Sequence, residues 1–398
     1  MFVSRLRLVN FRSYDDATVD FAPGLNVIVG RNASGKTNLL EGAWFALRAS
    51  SPRTTRDDKA VRWGAGFARA EATVVPDGEG PTRTLAVAYA PGQTKQARVD
   101  GAEVASLDDL RRHGWVFIFV PESLLLVKGS PARRRAHLDA FGAALDPAYD
   151  AGLRDLTLVL RQRNAQLLRV REGAPADTLD AWDRQLARVA LPFAARRGGL
   201  VARLADGFGR FAAALAPDGA VFSLTLVSQL DDLPPAAAVG SAAAAGTTAD
   251  EREPAFLAAL RARRAGEIGR ATSAYGPHRD DLRFAEETTE SPHVGLDDPT
   301  GAGRDLRLFG SQGEQRAAVL ALLLAERAVA AEQTGDLGAL LLDDVMSELD
   351  DARRRLLVGT LTAGGQAIIT TTNRLYFTPD ELAGARVIEL GGEEELAR

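Results

Sequence analysis

The chain has 398 residues with an apolar fraction of 46%, which is enough for two or three domains with sizeable cores. Its 48 basic and 53 acidic residues leave a formal net charge of −5, which argues against a uniformly basic nucleic-acid binder. The absence of cysteine excludes disulfides and thiolate sites. Because the start MFVSRLRLVNFRSY (1–14) has no apolar core of signal-peptide length, and no apolar run approaches the ~20 residues of a membrane span, we expect a cytoplasmic protein with no membrane contact.

The first predicted elements flank a glycine-rich turn. The run LNVIV (25–29) predicts a buried strand, and TNLLEGAWFAL (37–47) has helical spacing. Between them, Gly30 and the run Gly35, Lys36 and Thr37 match the phosphate-loop pattern G-x-x-x-x-G-K-[ST]. The glycines let backbone N–H groups point at phosphate oxygens, Lys36 would neutralise the β- and γ-phosphates, and Thr37 would offer its hydroxyl to Mg²⁺. A chance glycine turn is the alternative, and the flanking strand and helix disfavour it.

The middle of the chain changes from strands to helices. Residues 67–99 alternate between apolar and polar, which predicts antiparallel strands, and GWVFIFVP (114–121) predicts a buried strand that ends at Pro121. From residue 130 to about Leu215 the apolar spacing is helical, with charged faces. The middle of the chain is therefore predicted to form a helical lobe.

Two polar clusters each allow two interpretations. The arginines at 133–135 would either contact nucleic-acid phosphates or solvate a helix, and the pattern does not separate these roles. His278, beside Asp280 and Asp281, suggests either a metal site or a structural turn. We favour the turn, because no second histidine stands at a spacing typical of metal ligands.

A second anion site is suggested near residue 310. In LFGSQGEQRAAVLALLLAERAVA (308–330), the residues Gly310, Ser311, Gln312 and Gly313 open a long amphipathic helix. They offer free N–H groups, a hydroxyl and an amide at the positive end of that helix. An ordinary N-cap by Ser311 is the alternative, and it would be preferred if this segment stood alone.

The last predicted motif is an aspartate pair. Residues 339–342 form an apolar strand, followed directly by Asp343 and Asp344. Such carboxylates lie at the carboxyl edge of a sheet, where α/β proteins bind ligands. In phosphate-loop proteins the first carboxylate holds Mg²⁺ and the second polarises the attacking water. A further strand, GGQAIITTTN (364–373), ends in hydroxyl groups near the same place.

Taken in order, these motifs resemble an ABC-type ATPase head. The motifs are divided between the two ends of the chain, and Asn38 follows the residues GKT. Both features resemble the SMC-like branch of these ATPases. More closely, the blocks at 6–42, 119–139, 275–282 and 310–317 resemble the RecF family of bacterial recombination mediators in DNA gap repair. The likeness extends from residue 1 to about residue 374 in separate blocks. It implies an α/β ATPase lobe with a mixed sheet and a phosphate loop, built from residues 1–125 together with 265–398, and a helical lobe inserted at residues 126–264.

The resemblance also implies roles for individual residues. Asp343 and Thr37 would hold Mg²⁺, and Asp344 and Lys36 would be catalytic, with Asp344 in a position that ABC heads often fill with glutamate. The ATP phosphates would be bound by Gly30, Arg31, Asn32, Ala33, Ser34, Gly35, Lys36, Thr37 and Asn38. The signature that touches the γ-phosphate of a partner subunit would be Ser311, Gln312, Gly313, Glu314 and Gln315. Residues 347–350 would form the loop that crosses the dimer seam.

The sequence departs from the ABC pattern at two positions. The lid loop lacks its usual glutamine and offers Pro121 or Glu122 instead, so the magnesium ligand from that loop is not defined. The switch region lacks its usual histidine and offers Thr371 or Thr372, which form hydrogen bonds but do not titrate.

The functional expectation is an ATP-dependent DNA-binding clamp of the RecF type, acting in DNA replication, recombinational gap repair and the SOS response. Its implied partners are double-stranded DNA, single/double-strand junctions, a second copy of the chain bound with ATP, and mediators of the RecO and RecR type that help it to load recombinase. Its ATPase activity would be weak and DNA-stimulated. Alternatives are another SMC-like or transporter-type ABC ATPase, or a small-molecule P-loop phosphotransferase, which would leave the signature helix unexplained.

Overall fold

The computed structural model describes residues 1–216, 219–234, 249–287 and 303–391. The chain divides into two compact units, each built from separate stretches of sequence. The first comprises Met1–Leu125, Gly207–Phe222 and Phe309–Arg398, and the second comprises Leu126–Asp206 and Ser223–Leu308. Within the described ranges, no helix is long and apolar enough to cross a membrane.

The strands of the described residues pair into three sheets. They are β1 (Phe2–Phe11), β2 (Tyr14–Asp20), β3 (Leu25–Gly30), β4 (Ala68–Val75), β5 (Arg83–Tyr89), β6 (Gln96–Val99), β7 (Ala102–Glu103), β8 (Val116–Phe119), β9 (Phe222–Val227), β10 (Asp281–Glu286), β11 (Arg304–Asp305), β12 (Ala339–Leu342), β13 (Gln366–Thr371) and β14 (Arg386–Leu390).

The α-helices differ widely in length. They are α1 (Lys36–Arg48), α2 (Leu107–Arg111), α3 (Leu125–Lys128), α4 (Pro131–Leu145), α5 (Pro147–Arg171), α6 (Leu179–Leu215), α7 (Ala249–Arg270), α8 (Leu306–Phe309), α9 (Gln312–Thr334), α10 (Asp351–Thr362) and α11 (Pro379–Ala383).

One sheet of the first unit is wholly parallel, in the order β14-β3-β13-β12-β8. Strands β8, β12 and β13 are buried along their whole length. This explains why β8 and β12 are continuous apolar runs without alternation, whereas β13 also buries the polar residues Gln366, Thr370 and Thr371. This confirms the strands predicted at 25–29, 114–121, 339–342 and 364–373. Because parallel strands end at the same edge, the residues that follow β3, β12 and β13 meet there.

The other sheet of the first unit is antiparallel, in the order β2-β1-β4-β5-β6-β7. Buried and more exposed residues alternate along β4, as expected for a sheet with one face in the core. This confirms the antiparallel strands predicted over residues 67–99. Helix α1 packs on the buried face, where the ring of Phe45 lies 5.5 Å from that of Phe11.

The second unit contains helices and a small sheet, in the order β11-β10-β9. The helical lobe was predicted over residues 126–264, whereas this unit continues to Leu308 because β10 and β11 belong to the small sheet. The second unit also lacks residues 207–222, which belong to the first unit. Helix α6 ends in the first unit, where an added Cβ on Gly207 would lie 3.2 Å from the Cβ of Ala325, so that glycine permits close helix packing.

Buried ion pairs connect three helices of the second unit. Arg163 of α5 is 0% exposed and donates to Asp183 of α6 (2.8 Å), Glu267 of α7 (2.6 Å) and the hydroxyl of Ser273 (2.7 Å). Arg264 of α7 gives Asp183 a second partner at 2.6 Å. Each buried charge therefore has an opposite charge beside it, which such charges require.

Two of the three arginines at 133–135 form hydrogen bonds within the second unit. Arg134 is buried, and its Nε and Nη2 atoms each donate to the carboxylate of Asp281 at 2.7 Å. Arg135 donates to the backbone carbonyl of Asp280. Only Arg133 is exposed, so neither interpretation of the run holds for Arg134.

His278 lies in a short turn, Pro277–Arg279, and its Nε2 is 3.0 Å from the carbonyl of Ser273. Its Nδ1 is buried and has no hydrogen-bond partner among the described residues. Burial lowers the pKa of His278 to about 4, and nearby arginines act in the same direction. This geometry agrees with a structural turn. The described parts of the chain contain no group of three or more His, Cys, Asp and Glu residues arranged to hold a metal ion.

Candidate functional site

The glycine-rich turn between β3 and α1 has the conformation of a phosphate cradle. Gly35 has φ +98°, and an added Cβ there would lie 2.9 Å from the hydroxyl of Tyr14 and 3.1 Å from that of Ser13. Ala33 also has a positive φ of 66°. Helix α1 begins directly after this turn without a side-chain cap, so its first N–H groups are available to an anion.

Lys36 is folded back onto this turn. Its ammonium group donates to the carbonyls of Gly30 (2.6 Å) and Arg31 (2.8 Å), and the residue is only 8% exposed. Burial lowers the pKa of Lys36, while the carboxylates of Asp344 and Asp343 oppose that shift. The ammonium group of Lys36 is therefore held where the predicted phosphates would lie. Phosphate oxygens would replace the two carbonyls as its hydrogen-bond acceptors.

Asp343 directly follows β12, and its carboxylate links α1 and β13 at the edge of the parallel sheet. Its carboxylate accepts from the hydroxyl of Thr37 on α1 at 2.8 Å and from the hydroxyl of Thr370 on β13 at 2.7 Å. A carboxylate and a hydroxyl side by side are oxygen ligands of the kind that Mg²⁺ takes. The predicted pair of Thr37 and Asp343 therefore fits a magnesium ion bound next to a nucleotide.

Asp344 is held in an unusual backbone conformation, with φ +46° and ψ +36°. Its N–H donates to the hydroxyl of Thr370 at 3.0 Å, and one carboxylate oxygen accepts from the hydroxyl of Ser347 at 3.2 Å. The other oxygen, Oδ1, is buried and has no partner among the described residues. A residue in the left-handed region with an unsatisfied buried carboxylate oxygen is a candidate for a functional position.

Thr370 is the residue that reasoning from sequence missed. The hydroxyl-rich end of β13 was the available signal, but the family pattern pointed to Thr371 or Thr372. The hydroxyl of Thr371 instead accepts from the N–H of Asn373 at 3.1 Å. Thr370 faces both aspartates because β13 lies between β3 and β12 in the sheet, an order that the sequence does not reveal.

The side chain of Asn38 is held by Ser13 and Arg53. Its amide donates to the hydroxyl of Ser13 at 3.0 Å, and its oxygen accepts from Arg53 at 3.2 Å. Arg53 also pairs with Glu41, a fully buried carboxylate of α1 whose main partner is Arg12 at 2.6 Å. These contacts fix the first turns of α1, and sequence analysis had assigned no role to Arg12, Arg53 or Glu41.

The lid-loop position is occupied by a carboxylate. Pro121 begins a short turn, and the Oε1 atom of Glu122 lies 3.5 Å from Arg53. The Oε2 atom of Glu122 is buried and has no partner among the described residues. Of the two candidates, Glu122 is therefore the one with a side chain that can offer an oxygen ligand.

The signature segment lies at the start of α9. Ser311 accepts from the N–H of Glu314 at 3.3 Å, and the carboxylate of Glu314 accepts from the N–H of Ser311 at 2.6 Å. This is a capping box, so the alternative role of Ser311 as an N-cap is present in this structure. Ser311, Gln312 and Gly313 are exposed, whereas Gln315 is buried.

Arg316, directly after the signature, connects α9 to the aspartate pair. Its guanidinium lies 5.4 Å from the ring centre of Phe119 and donates to the backbone carbonyl of Asp344 at 3.3 Å. The hydroxyl of Ser347, in the segment predicted to cross a dimer seam, binds the same carbonyl at 3.0 Å. The signature helix, the aspartates and this segment are thus joined through one backbone group.

This combination of a parallel sheet, a phosphate turn, an aspartate pair two strands away and a capped signature helix defines an ABC-type ATPase head. Residues 2–386 match the RecF/RecN/SMC N terminal domain. The DNA replication and repair protein RecF of Heliobacterium modesticaldum is 37% identical over 98% of this chain and 97% of its own length. That of Beutenbergia cavernae is 36% identical over 99% of both chains. The chain belongs to the RecF family.

Solved structures agree with this assignment. The recombination mediator protein RecF with ATPrS superposes with a TM-score of 0.75 at 25% identity, covering 95% of this chain and 94% of that one. RecF with ATP gives the same TM-score at 26% identity, covering 94% of this chain and 92% of that one. An Smc head bound to the C-winged helix domain of ScpA, with a TM-score of 0.51 and 15% identity over 94% of this chain and 91% of that one, shares the fold alone.

Proposed function

We propose that this protein is an ATP-dependent DNA-binding clamp of DNA replication, recombinational gap repair and the SOS response. The observation that carries the proposal is the bonding of Asp343 to both Thr37 and Thr370 beside the phosphate turn. The names of the relatives, DNA replication and repair protein RecF, support the cellular role.

The proposed chemistry is ATP hydrolysis at the edge of the parallel sheet. Backbone N–H groups of the turn and Lys36 bind the phosphates, while Thr37 and Asp343 would hold Mg²⁺, which when bound would neutralise charge on the β- and γ-phosphates. Asp344 orients the attacking water with the carboxylate oxygen that has no partner among the described residues. We expect slow hydrolysis that resets a switch, since Asp344 is one methylene shorter than the glutamate often found there. Stimulation of this hydrolysis by DNA is proposed from family membership.

The proposed partners follow from the exposed signature and the family. A second copy of the chain would present Ser311 to the γ-phosphate, so ATP would close a homodimer. Double-stranded or junction-bearing DNA and mediators of the RecO and RecR type are proposed from family membership. The same membership supports a cytoplasmic location.

Sedimentation with and without ATP and DNA tests this function. The parent should associate and bind DNA only with ATP, and the binding should weaken steeply with salt because phosphate contacts release counterions. Lys36→Ala should lose ATP binding and both responses. Asp344→Asn should still bind ATP, dimerise and bind DNA, but hydrolyse ATP more slowly.

Other outcomes would identify a different protein class. Equal DNA binding with and without nucleotide would contradict the clamp. ATP consumption with phosphate transfer to a small molecule, and no ATP-induced association, would indicate a phosphotransferase. ATP-induced association without any DNA binding at low salt would favour another ABC-type ATPase.

A further inference from the structure

Trp63 is 100% exposed, which is unusual for so large an apolar side chain. It lies in a tight turn closed by a hydrogen bond from the N–H of Ala65 to the carbonyl of Arg62 at 3.0 Å, with Gly64 at φ +84°. The N–H of Arg62 in turn donates to the carbonyl of Asn10 at 2.8 Å. The backbone therefore presents the indole from a fixed position.

The turn around Trp63 is bonded to the β1–β2 hairpin. The N–H of Arg12 donates to the carbonyl of Ala60 at 2.8 Å, and Val61 forms an antiparallel bridge with Phe11. Residues 60–62 thus run beside the end of β1 and place Trp63 next to the hairpin tip.

The same hairpin tip contacts the phosphate turn. The hydroxyl of Tyr14 donates to the carbonyl of Gly35 at 3.1 Å, and the hydroxyl of Ser13 accepts from Asn38 of α1 at 3.0 Å. The turn that carries Trp63 is therefore hydrogen-bonded to the β1–β2 hairpin, and the hairpin is in turn hydrogen-bonded to the phosphate turn and the start of α1.

We propose that the indole of Trp63 stacks on the base of the nucleotide whose phosphates occupy the turn between Gly30 and Thr37. This inference rests on the proposed ATP site. A nucleotide whose phosphates are bound at the start of α1 extends its base away from the glycine turn. Stacking on an exposed aromatic face there offsets the free energy that the base loses when it leaves water. Stacking tolerates any base because each has a π-face, so GTP should bind nearly as well as ATP.

Binding of ATP and of inorganic tripolyphosphate, measured by titration calorimetry, separates the base from the phosphates. Trp63→Ala should weaken ATP binding by about tenfold, in line with the loss of one stacked base. Tripolyphosphate binding should not change, because it has no base to stack. Trp63→Phe should retain most of the ATP affinity, and Phe67→Ala, at a 44% exposed aromatic residue in the same loop, is the matched control without effect.

Tryptophan fluorescence gives an independent readout. ATP should quench the parent, tripolyphosphate should not, and Trp63→Phe should lose the quenching although it still binds ATP. Equal ATP affinity of the parent and Trp63→Ala would overturn the inference and leave the ATP site intact. Weaker DNA binding of Trp63→Ala at saturating ATP, with unchanged ATP affinity, would also overturn it and assign the indole to DNA bases. If the parent bound neither ATP nor tripolyphosphate, the proposed function itself would fail.

Discussion

The hydroxyl of Thr370 organises the two aspartates of the site. It gives its single proton to Asp343 and accepts the N–H of Asp344, so both residues depend on one side chain. Thr370→Val preserves the shape of the side chain and removes both hydrogen bonds. We expect a fall of about tenfold in the steady-state rate of ATP hydrolysis, since a buried group left unsatisfied costs about 1–3 kcal/mol.

Thr371→Val is the matched control for Thr370→Val. It lies on the same buried strand, but its hydroxyl bonds only to Asn373 among the contacts described above. Its ATPase rate should stay within about twofold of the parent. If both variants lost the same activity, the effect would come from strand packing and not from the support of Asp343 and Asp344.

His278 should make the second unit sensitive to mild acid. Its folded pKa of about 4 lies below its ordinary value of 6.5, because the ring is buried beside arginines. Between these two values the unfolded chain binds a proton that the folded chain does not, so stability falls as the pH is lowered through this window. Unfolding followed by circular dichroism from pH 7.5 to 5 should show a shallower loss of Tm in His278→Asn, and an identical slope would contradict this explanation.

At the level of secondary-structure elements, Arg163 connects α5, α6 and α7. Its removal leaves the buried carboxylate of Glu267 without its guanidinium partner and takes from Asp183 one of its two ion pairs, that with Arg264 remaining. Arg163→Met should therefore destabilise the protein by about 3–5 kcal/mol, measured by urea unfolding. The control Arg154→Met removes an exposed pair with Asp150 on the same helix and should cost less than about 0.5 kcal/mol. Similar costs for the two variants would show that the buried network adds no stability.

At the scale of the whole molecule, the central prediction is an ATP-closed homodimer with two composite sites. Ser311 is exposed at the positive end of a 23-residue helix, where a γ-phosphate from another subunit would meet both charge and hydroxyl. Ser311→Arg should therefore leave ATP binding to the monomer nearly intact and abolish ATP-induced dimers in sedimentation. Dimers equal to those of the parent would leave Ser311 with its capping role alone.

A mixture of two variants sharpens this test. Lys36→Ala retains a sound signature and Ser311→Arg retains a sound phosphate turn, so their heterodimer contains one intact site. ATP should drive some association of the mixed pair when neither variant associates with itself. Failure of the mixture alone would not separate the models, because closure could require both sites to be filled, so the behaviour of Ser311→Arg by itself is decisive.

The phosphate turn, the aspartate pair after β12 and the capped start of α9 were predictable because each is local. Gly35 needs a positive φ within its own turn, and Ser311 caps a helix that begins at the next residue. Strands β3, β12 and β13 were predictable for the same reason, since short apolar runs indicate buried strands wherever they lie. The order of these elements along the chain was enough to identify the class of ATPase.

The tertiary structure decided which distant residues meet. Asp343 binds Thr37 across 306 positions of sequence, and Thr370 reaches both aspartates because β13 is inserted between β3 and β12. Arg134 forms an ion pair with Asp281 inside the second unit, although its sequence neighbours are exposed or charged. Local patterns specify turns, caps and strands through short-range sterics and hydrogen bonds, whereas strand order and buried pairing depend on the packing of the whole chain, which no single stretch encodes.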